Sequence, residues 1–378
     1  MGLRIATSHP TALVASYTGV MSKETRRPYR VIQVGLGDFG RRWLNVIRRH
    51  QSWEYGARAT RNGEARRQCG EIAGLPESRQ FTSLSDAFES GIDADVVLVT
   101  TPHFRHLDDV TVALDHGMHV LVEKPLAGSW DECIRIRAAA ARSGGTLTVA
   151  ENYRFGEGAI AARDIVESGE IGRPEFLTLN YFVGHTFPDG DWRNDYRYPL
   201  LVENATHQFD LVRFITGSEA TEVYCATPGS KRTPQWEFPS VCAQFQMTGG
   251  FHFGFNASWA YKEFPTPWEG QWRLYGTDGA LSWDRDQMTI ERAGKSRRLQ
   301  IPSRDSDFTL KATFEEFTAS LDQDRLALTD IEDNMKTVAM VYAAIESSQH
   351  HRPVDVAEFL EKSDSVDSRA GTSANATR

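Results

Sequence analysis

The stretch that decides the fold runs from Tyr29 to Gly40 and reads YRVIQVGLGDFG. Its apolar first half predicts a buried strand, and its glycine-rich second half predicts a tight turn into a helix. Gly35, Gly37 and Gly40 fit G-x-G-x-x-G, in which two glycines let backbone N–H groups approach a pyrophosphate and the third lets the helix pack on the strand. A plain strand–helix turn can carry the same glycines, but the position at the head of an alternating chain favours a dinucleotide site.

Strands and helices alternate after this stretch. Apolar runs predict further strands at residues 53–60, 94–101, 119–125 and 146–150, and helices at 62–73, 107–116 and 130–143. This is the pattern of a doubly wound parallel sheet, whose ligands bind at the carboxyl ends of the strands. We therefore predict an α/β dinucleotide-binding domain of the Rossmann type over residues 29–152.

The sequence changes character after Gly172, where short alternating strands separated by glycine turns are predicted. They lie at residues 175–182, 222–226, 241–246, 250–256 and 271–275, and a long amphipathic helix follows at 329–350. We predict a second, α+β domain over residues 153–361, with an open, mostly antiparallel sheet. Residues 1–28 and the Ser/Asp/Ala-rich residues 362–378 are predicted to be disordered, with a subunit-wrapping arm as the alternative for the first.

Composition limits the class of protein. A chain of 378 residues favours two domains, and a formal net charge of −9 gives no indication of a nucleic-acid or anionic-membrane partner. No apolar run approaches the roughly 20 residues that cross a bilayer. Without a secretory signal or a CxxC pair, we expect a cytoplasmic protein with reduced, buried cysteines. These cysteines are Cys69, Cys133, Cys225 and Cys242.

Three further motifs stand at predicted strand ends. They are Thr101-Pro-x-x-x-His106, His119-Val-Leu-Val-Glu-Lys-Pro125 and Glu151-Asn-Tyr-Arg-Phe155. With the glycine turn, their order and spacing resemble the signatures of the Gfo/Idh/MocA oxidoreductases, which include glucose–fructose oxidoreductase and inositol dehydrogenase. The resemblance implies an NAD(P)-dependent enzyme that forms a homodimer or homotetramer through its C-terminal sheet. The cofactor-binding residues are then expected to be Gly35, Gly37, Asp38, Phe39, Gly40, Thr60, Arg61, Thr101, Pro102, His106, Glu123 and Lys124.

The end of the second predicted strand bears on the choice of cofactor. NAD enzymes of this fold place Asp or Glu there to bind the ribose 2′-hydroxyl, whereas this chain reads Arg58-Ala-Thr-Arg-Asn62. Thr60 offers a hydroxyl and Arg61 a guanidinium to a 2′-phosphate. An arginine on the surface beside a loop is the other interpretation of Arg61. We predict that NADP is preferred, with NAD as the alternative.

A helix predicted within residues 200–217 carries the candidate catalytic residues. Glu203, His207 and Asp210 are spaced by four and three, which places them on one helix face. A lone histidine is more often structural, but two carboxylates beside it favour a site. The family resemblance implies that Glu203, His207 and Lys124 serve substrate chemistry. It carries no substrate over, because Glu203 replaces the usual Asp and Tyr196-Arg-Tyr-Pro-Leu200 replaces the usual glycine cluster.

The chemistry expected from these residues is oxidation of a secondary carbinol on a sugar, cyclitol or glycoside, or the reverse reduction. His207 is the expected general base because its reference pKa of about 6.5 lies near working pH. Lys124 would stabilise the alkoxide or act as base itself, and Glu203 would orient one of the two. The substrate-binding candidates, for which packing or surface roles are equally expected, are Asn152, Tyr153, Arg154, Trp192, Arg193 and Asp210.

No metal is predicted, since the histidines show no HExxH or paired-ligand spacing. Two other functions remain open at this point. The same fold hosts glycosidases that use bound NAD in a redox-assisted cleavage, and a cofactor-sensing regulator would need no catalysis. Retention of Lys124 and His207 argues against the regulator, because a sensor needs no proton relay.

Overall fold

A computed structural model describes residues 27–361 of the chain. The disorder predicted for the two termini therefore falls almost entirely outside the described residues. Within them the chain forms two sheets, one of six and one of nine strands. The predicted fold class, a Rossmann-type α/β part followed by a part with an open, mostly antiparallel sheet, is confirmed.

The first sheet is parallel throughout. Its strands are β1 (Tyr29–Val34), β2 (Trp53–Ala59), β3 (Gln80–Phe81), β4 (Val96–Val99), β5 (His119–Val122) and β6 (Leu147–Val149). Their order is β3-β2-β1-β4-β5-β6. The connecting helices are α1 (Asp38–Ile47), α2 (Gly63–Ala73), α3 (Leu84–Glu89), α4 (His106–Asp115) and α5 (Trp130–Arg142). The order switches direction between β1 and β4, so a ligand crevice is expected at the carboxyl ends of these strands.

Helices cover both faces of this sheet. In β4, Val97 and Val99 pack into one apolar cluster, while Val96 and Leu98 pack into the cluster on the other face. A strand buried on both faces needs apolar side chains at every position, so its sequence is a continuous apolar run. This explains why these strands could be predicted from the sequence.

The second sheet is antiparallel except for one pair. Its strands are β7 (Pro174–Phe182), β8 (Ala220–Ala226), β9 (Ser240–Met247), β10 (His252–Ser258), β11 (Gln271–Gly276), β12 (Gly279–Asp284), β13 (Gln287–Arg292), β14 (Lys295–Gln300) and β15 (Val354–Asp355). The order is β14-β13-β12-β11-β7-β10-β9-β8-β15, with β7 and β10 parallel.

One face of this sheet packs on helices and the other remains open. The helices of this part are α6 (Glu157–Glu167), α7 (Thr206–Thr216), α8 (Phe308–Asp322) and α9 (Ile331–His350). Residues of α6, α7 and α9 share one apolar cluster with the inward side chains of the strands. On the opposite face Phe176, Tyr224 and Tyr275 are 44%, 47% and 48% exposed. Cys242 is also exposed, so the prediction of a buried thiol is wrong there, because strand alternation turns it outward.

The elements β3, α3, α6, β12–β15 and α8 were not predicted from the sequence. β3 and α3 are only two and six residues long, which is too short to show a periodic apolar pattern. In α8, Leu310, Phe314 and Phe317 follow helical spacing and pack against the first sheet. Near its C-terminal end the described chain thus packs again on the first sheet. The domain boundary at residue 152 remains a prediction.

Candidate active site

A cleft of about 750 Å³ opens at the carboxyl ends of the strands of the first sheet. Residues 192–203, which precede α7, close its far side. This is the crevice that the strand order predicts. The predicted site residues that line it are Gly35, Gly37, Asp38, Phe39, Thr60, Arg61, Thr101, Pro102, Glu123, Lys124, Trp192, Arg193 and Glu203.

The glycine turn fits a dinucleotide phosphate. A Cβ at Gly35 would lie 2.5 Å from the backbone of Thr100, and one at Gly40 would lie 2.6 Å from the Gly35 carbonyl oxygen. Among the described residues, no atom lies within 4 Å of a Cβ built on Gly37, which faces the cleft. Gly35 and Gly40 are therefore required by packing of the turn, while Gly37 leaves open space in front of the N-terminus of α1. A pyrophosphate needs this space and this helix terminus.

The end of the cleft that lies beside β2 presents hydrogen-bond donors. Thr60 and Arg61 line it together with Asn62 and Ser83. Asn62 caps α2 and Ser83 caps α3 through their side-chain oxygens. Two helix N-termini, with their partial positive charge, therefore begin at this end of the cleft. Asp109 is the carboxylate on the same wall, and its Oδ2 accepts a hydrogen bond from the Thr101 hydroxyl at 2.8 Å.

Lys124 follows β5 and reaches towards the second part of the chain. Its Nζ donates to the backbone carbonyl of Glu203 at 2.9 Å. The buried Glu123 carboxylate accepts from the Trp43 indole at 2.6 Å and from the Lys124 backbone N–H at 3.1 Å. Burial raises the pKa of Glu123. Glu123 therefore fixes the backbone of the turn, and Lys124 supplies the ammonium at this point of the cleft.

His106 lies beneath the cleft surface. Its ring nitrogens lie 2.8 Å from the carbonyl oxygen of Thr101 and 3.1 Å from that of Pro125. Burial lowers the pKa of His106 to about 4. The side chain ties the turn after β4 to the turn after β5. The structure thus gives His106 a place behind the cofactor crevice and not on its surface.

His207, the expected base, pairs with a carboxylate at the end of β6. Its Nδ1 lies 2.9 Å from Glu151 Oε2, and the Thr206 hydroxyl donates to the other carboxylate oxygen at 2.8 Å. The Tyr153 ring stacks on the imidazole with centroids 3.9 Å apart. Burial and the charge of Lys124 lower the pKa of His207, although Glu151 acts in the opposite direction. Glu151 fixes the proton on Nδ1, which leaves Nε2 as an acceptor.

Glu203 meets a different partner from the one expected. The helix predicted over residues 200–217 begins with a π-helical turn (Leu201–Ala205), where a spacing of four does not keep side chains on one face. Glu203 Oε1 lies 2.9 Å from Nδ1 of His103. The carboxylate therefore orients neither Lys124 nor His207. The backbone carbonyl of Glu203 holds Lys124, and Glu151 holds His207.

Two predicted substrate residues, Arg154 and Asp210, form a buried ion pair away from the cleft lining. Arg154 Nε and Asp210 Oδ2 are 2.6 Å apart, and both side chains are at most 5% exposed. Asp333 and Arg213 extend the network. Its charges are paired with one another, which is the arrangement of a structural cluster.

The other predicted substrate residues lie in three different settings. The Asn152 amide donates to Thr309 at 2.7 Å, and Tyr153 stacks on His207. Trp192 and Arg193 reach the cleft wall, where the Arg193 guanidinium pairs with Asp191 at 2.7 Å. Trp192 and Arg193 thus line the cleft, while Tyr153 supports the base.

Three residues of the site were missed by sequence reasoning. Glu151 stands two residues after β6, at the carboxyl end of a parallel strand, which is a signal that could have found it. His103, directly after Pro102, offers the same signal at the end of β4. Tyr196 gave none, because it reaches His103 from 93 residues further along the chain.

Comparison with known proteins agrees with this geometry. Residues 29–151 match the model of the oxidoreductase family with an NAD-binding Rossmann fold, and residues 159–282 match the GFO/IDH/MocA C-terminal domain. An uncharacterized protein of Sinorhizobium fredii is 26% identical over 88% of this chain and 97% of its own length. The dTDP-3,4-didehydro-2,6-dideoxy-alpha-D-glucose 3-reductase of Streptomyces violaceoruber is 26% identical over 78% of this chain and 86% of its own.

The fold is shared with solved structures. An oxidoreductase from Agrobacterium radiobacter, in complex with NAD+, L-tartaric acid and magnesium, has a TM-score of 0.80 and 19% identity, covering 87% of this chain and 99% of its own. Fold, cleft and matched regions together define a nicotinamide-dependent oxidoreductase. The chain belongs to the Gfo/Idh/MocA family.

Proposed function

We propose that this enzyme transfers a hydride between NADP and a carbinol or carbonyl carbon of a sugar, cyclitol or glycoside. The observation that carries the proposal is that Lys124 lines the cleft and acts electrostatically on the His207–Glu151 pair, which is buried behind the lining residues. The nicotinamide supplies the hydride chemistry when the dinucleotide is bound. The chain itself must hold the reacting oxygen and move its proton.

The residues divide this work between them. In the oxidation direction His207 Nε2 accepts the hydroxyl proton, and Glu151 stabilises the imidazolium that forms. The Lys124 ammonium holds the same oxygen as negative charge develops on it. A sugar-like substrate is supported by the family and by the name of the Streptomyces reductase. Cytoplasmic location and the absence of a metal requirement remain predictions.

Two features are absent from residues 27–361. No helix within residues 27–361 is long and apolar enough to cross a membrane. The same residues contain no group of three or more His, Cys, Asp or Glu placed to hold a metal ion.

The test is a screen of sugars, cyclitols and glycosides with NADP+ and with NAD+, read by the absorbance of reduced cofactor. We expect one substrate class to give stoichiometric free NADPH, and Lys124→Ala to abolish most of that signal. Lys311→Ala, an exposed lysine on α8, is the matched control. Sugar release without net cofactor reduction would instead identify a redox-assisted glycosidase. Cofactor binding without any turnover would identify a sensor.

We also infer that NADP is preferred over NAD. Support comes from Thr60 and Arg61 at the cleft end where α2 and α3 begin, with no carboxylate directly after β2. Arg61→Asp should lower the affinity for NADPH about ten- to hundredfold, the effect of one charge-assisted contact. Arg67→Asp, on the outer side of α2, is the control. Tighter binding of NAD than of NADP by the wild type would contradict this inference.

Assembly through the open face of the second sheet is part of the same proposal. Phe176, Tyr224 and Tyr275 place three half-exposed aromatic rings on that face. Burying such a surface between two copies would give a homodimer or homotetramer. Tyr275→Arg should then dissociate the oligomer in sedimentation experiments without unfolding the chain, whereas a monomeric wild type would refute the assembly.

A further inference from the structure

A second histidine–carboxylate pair lies beside Lys124. Glu203 Oε1 is 2.9 Å from His103 Nδ1, and the Tyr196 hydroxyl contacts His103 Nε2. The imidazole also stacks on the Tyr196 ring, with centroids 4.8 Å apart. His103 follows β4 of the first sheet, whereas Glu203 and Tyr196 precede α7. The row Tyr196–His103–Glu203 therefore joins the two walls of the cleft.

The position of the protons in this row follows from its members. Within the described residues Glu203 Oε1 has no hydrogen-bond partner of regular geometry, so this oxygen is available to a ligand. Its 2.9 Å contact with His103 Nδ1 is favourable when that nitrogen carries a proton, because an ionised carboxylate can only accept. Burial raises the pKa of Glu203, but the contact with His103 and the charge of Lys124 bring it below its ordinary value. Burial raises the pKa of Tyr196. Tyr196 thus keeps its proton and can donate it to Nε2.

Exposure separates the roles of the two members of the pair. Both residues belong to the cleft lining, but the Glu203 side chain is 13% exposed and the His103 side chain only 1%. Glu203 can therefore touch a ligand, and His103 acts through Glu203. The Trp192 ring meets the imidazole edge-on at 5.1 Å and limits its rotation.

We propose that His103 is a positioning residue of the reaction. Held by Tyr196, it keeps the Glu203 carboxylate aimed into the cleft, where that carboxylate accepts a hydrogen bond from a substrate hydroxyl. The inference rests on the proposed function. It adds that the substrate carries a hydroxyl group, and that Glu203 binds this hydroxyl from the wall of the cleft that faces the glycine turn.

The first test is spectroscopic and needs no substrate. In alkaline solution, nitrogen-15 NMR of the histidine side chains should show His103 as the Nδ1-protonated tautomer, with its signal assigned from His103→Asn. Glu203→Gln should change that tautomer or its exchange, while Glu237→Gln, a surface carboxylate paired with Arg197, should not. An Nε2-protonated His103 in the wild type would overturn the proposal. This result stands whether or not the screen finds a substrate, so it can be separated from failure of the proposed function.

The second test uses the substrate that the wild type oxidises fastest in the screen. His103→Ala and Glu203→Gln should each raise KM about ten- to hundredfold, the effect of one lost hydrogen bond to a charged group, with cofactor affinity unchanged. The double variant should be no worse than the more severe single variant, because both act on one contact.

Conservative variants separate positioning from packing. His103→Asn keeps an N–H near the Nδ1 position and should restore KM to within a few-fold of the wild type. Tyr196→Phe removes only the hydroxyl and keeps the stacked ring, so it tests the row even if His103→Ala fails to fold. Additive effects in the double variant, or a loss confined to thermal stability, would show that His103 only packs.

Discussion

Helix α7 carries two buried polar clusters one turn apart, and they differ in how completely their partners satisfy them. At its start, His207 pairs with Glu151 through Nδ1, and within residues 27–361 its Nε2 has no hydrogen-bond partner. One turn later, Asp210 receives two bonds from Arg154 and one from Thr337. In the first cluster His207 Nε2 remains a free acceptor, whereas in the second both carboxylate oxygens of Asp210 already accept hydrogen bonds.

Under the proposed function, the difference separates a catalytic cluster from a structural one on the same helix. Both clusters are buried and both contain a carboxylate, so burial and charge alone do not distinguish them. A catalytic cluster needs an atom that can exchange a proton with substrate. A buried ion network needs the opposite, because any charge left unpaired in the interior is costly.

The largest expected effect is on catalysis. His207→Ala should lower kcat by roughly 10²–10⁴, the range for a lost acid–base group, with little change in cofactor affinity. His252→Ala, an exposed histidine on β10, is the control. Steady-state kinetics on the substrate from the screen measure the effect. Near-normal turnover of His207→Ala would remove the distinction between the two clusters.

Asp210 should show the opposite behaviour. Asp210→Ala leaves Arg154 and Arg213 short of a partner, so we expect the free energy of unfolding to fall by roughly 3–5 kcal/mol. The molecules that remain folded should keep kcat within a few-fold of the wild type. Denaturant unfolding and kinetics on the same preparation check this. A variant that is stable but inactive would place Asp210 in the reaction.

Two threonine-to-valine substitutions compare the two clusters by removing one hydrogen bond from each, and we expect smaller effects from them. Thr206 donates to Glu151 at 2.8 Å and Thr337 donates to Asp210 at 3.1 Å. Thr206→Val and Thr337→Val should each cost about 1.5–3 kcal/mol of stability, the value of a hydrogen bond to a charged group. Only Thr206→Val should also lower kcat, because only Glu151 orients the base. Equal kinetic effects of the two variants would argue that both clusters act on the site.

The sequence predicted those parts of the molecule that local patterns specify. A mostly apolar stretch marked β1, continuous apolar runs marked β4 and β5, and the glycine spacing marked the phosphate turn, because each depends on residues adjacent in the chain. Lys124 was identified through a motif at a strand end. Its hydrogen bond to the Glu203 carbonyl, 79 residues away, was not foreseeable.

The parts that escaped prediction depend on tertiary contacts. A regular helix over residues 200–217 was expected to put Glu203, His207 and Asp210 on one face, but the π-helical turn and three separate partners divide them. From the sequence Arg154 is a substrate-binding candidate, with a packing or surface role equally expected. Its partner Asp210 arrives from α7, and only the folded chain shows that the two neutralise each other.

The smallest effect concerns the pH at which His207 loses its function. Burial and Lys124 lower its pKa, while Glu151 and Glu203 oppose them, so protonation should occur only below the reference value of about 6.5. Acidification protonates Nε2 and removes the acceptor, and oxidation should therefore persist to more acidic pH than a free imidazole would allow. Lys124→Met removes a positive charge that disfavours the imidazolium, so it should move the NMR titration midpoint of His207 upwards. Lys336→Met, on the outer side of α9, is the matched charge control and should leave the midpoint in place. An unchanged midpoint in Lys124→Met would mean that Lys124 does not act on His207. A wild-type midpoint above about 6.5 would mean that Glu151 and Glu203 outweigh burial and Lys124, so that His207 would lose its free acceptor at a higher pH than a free imidazole does.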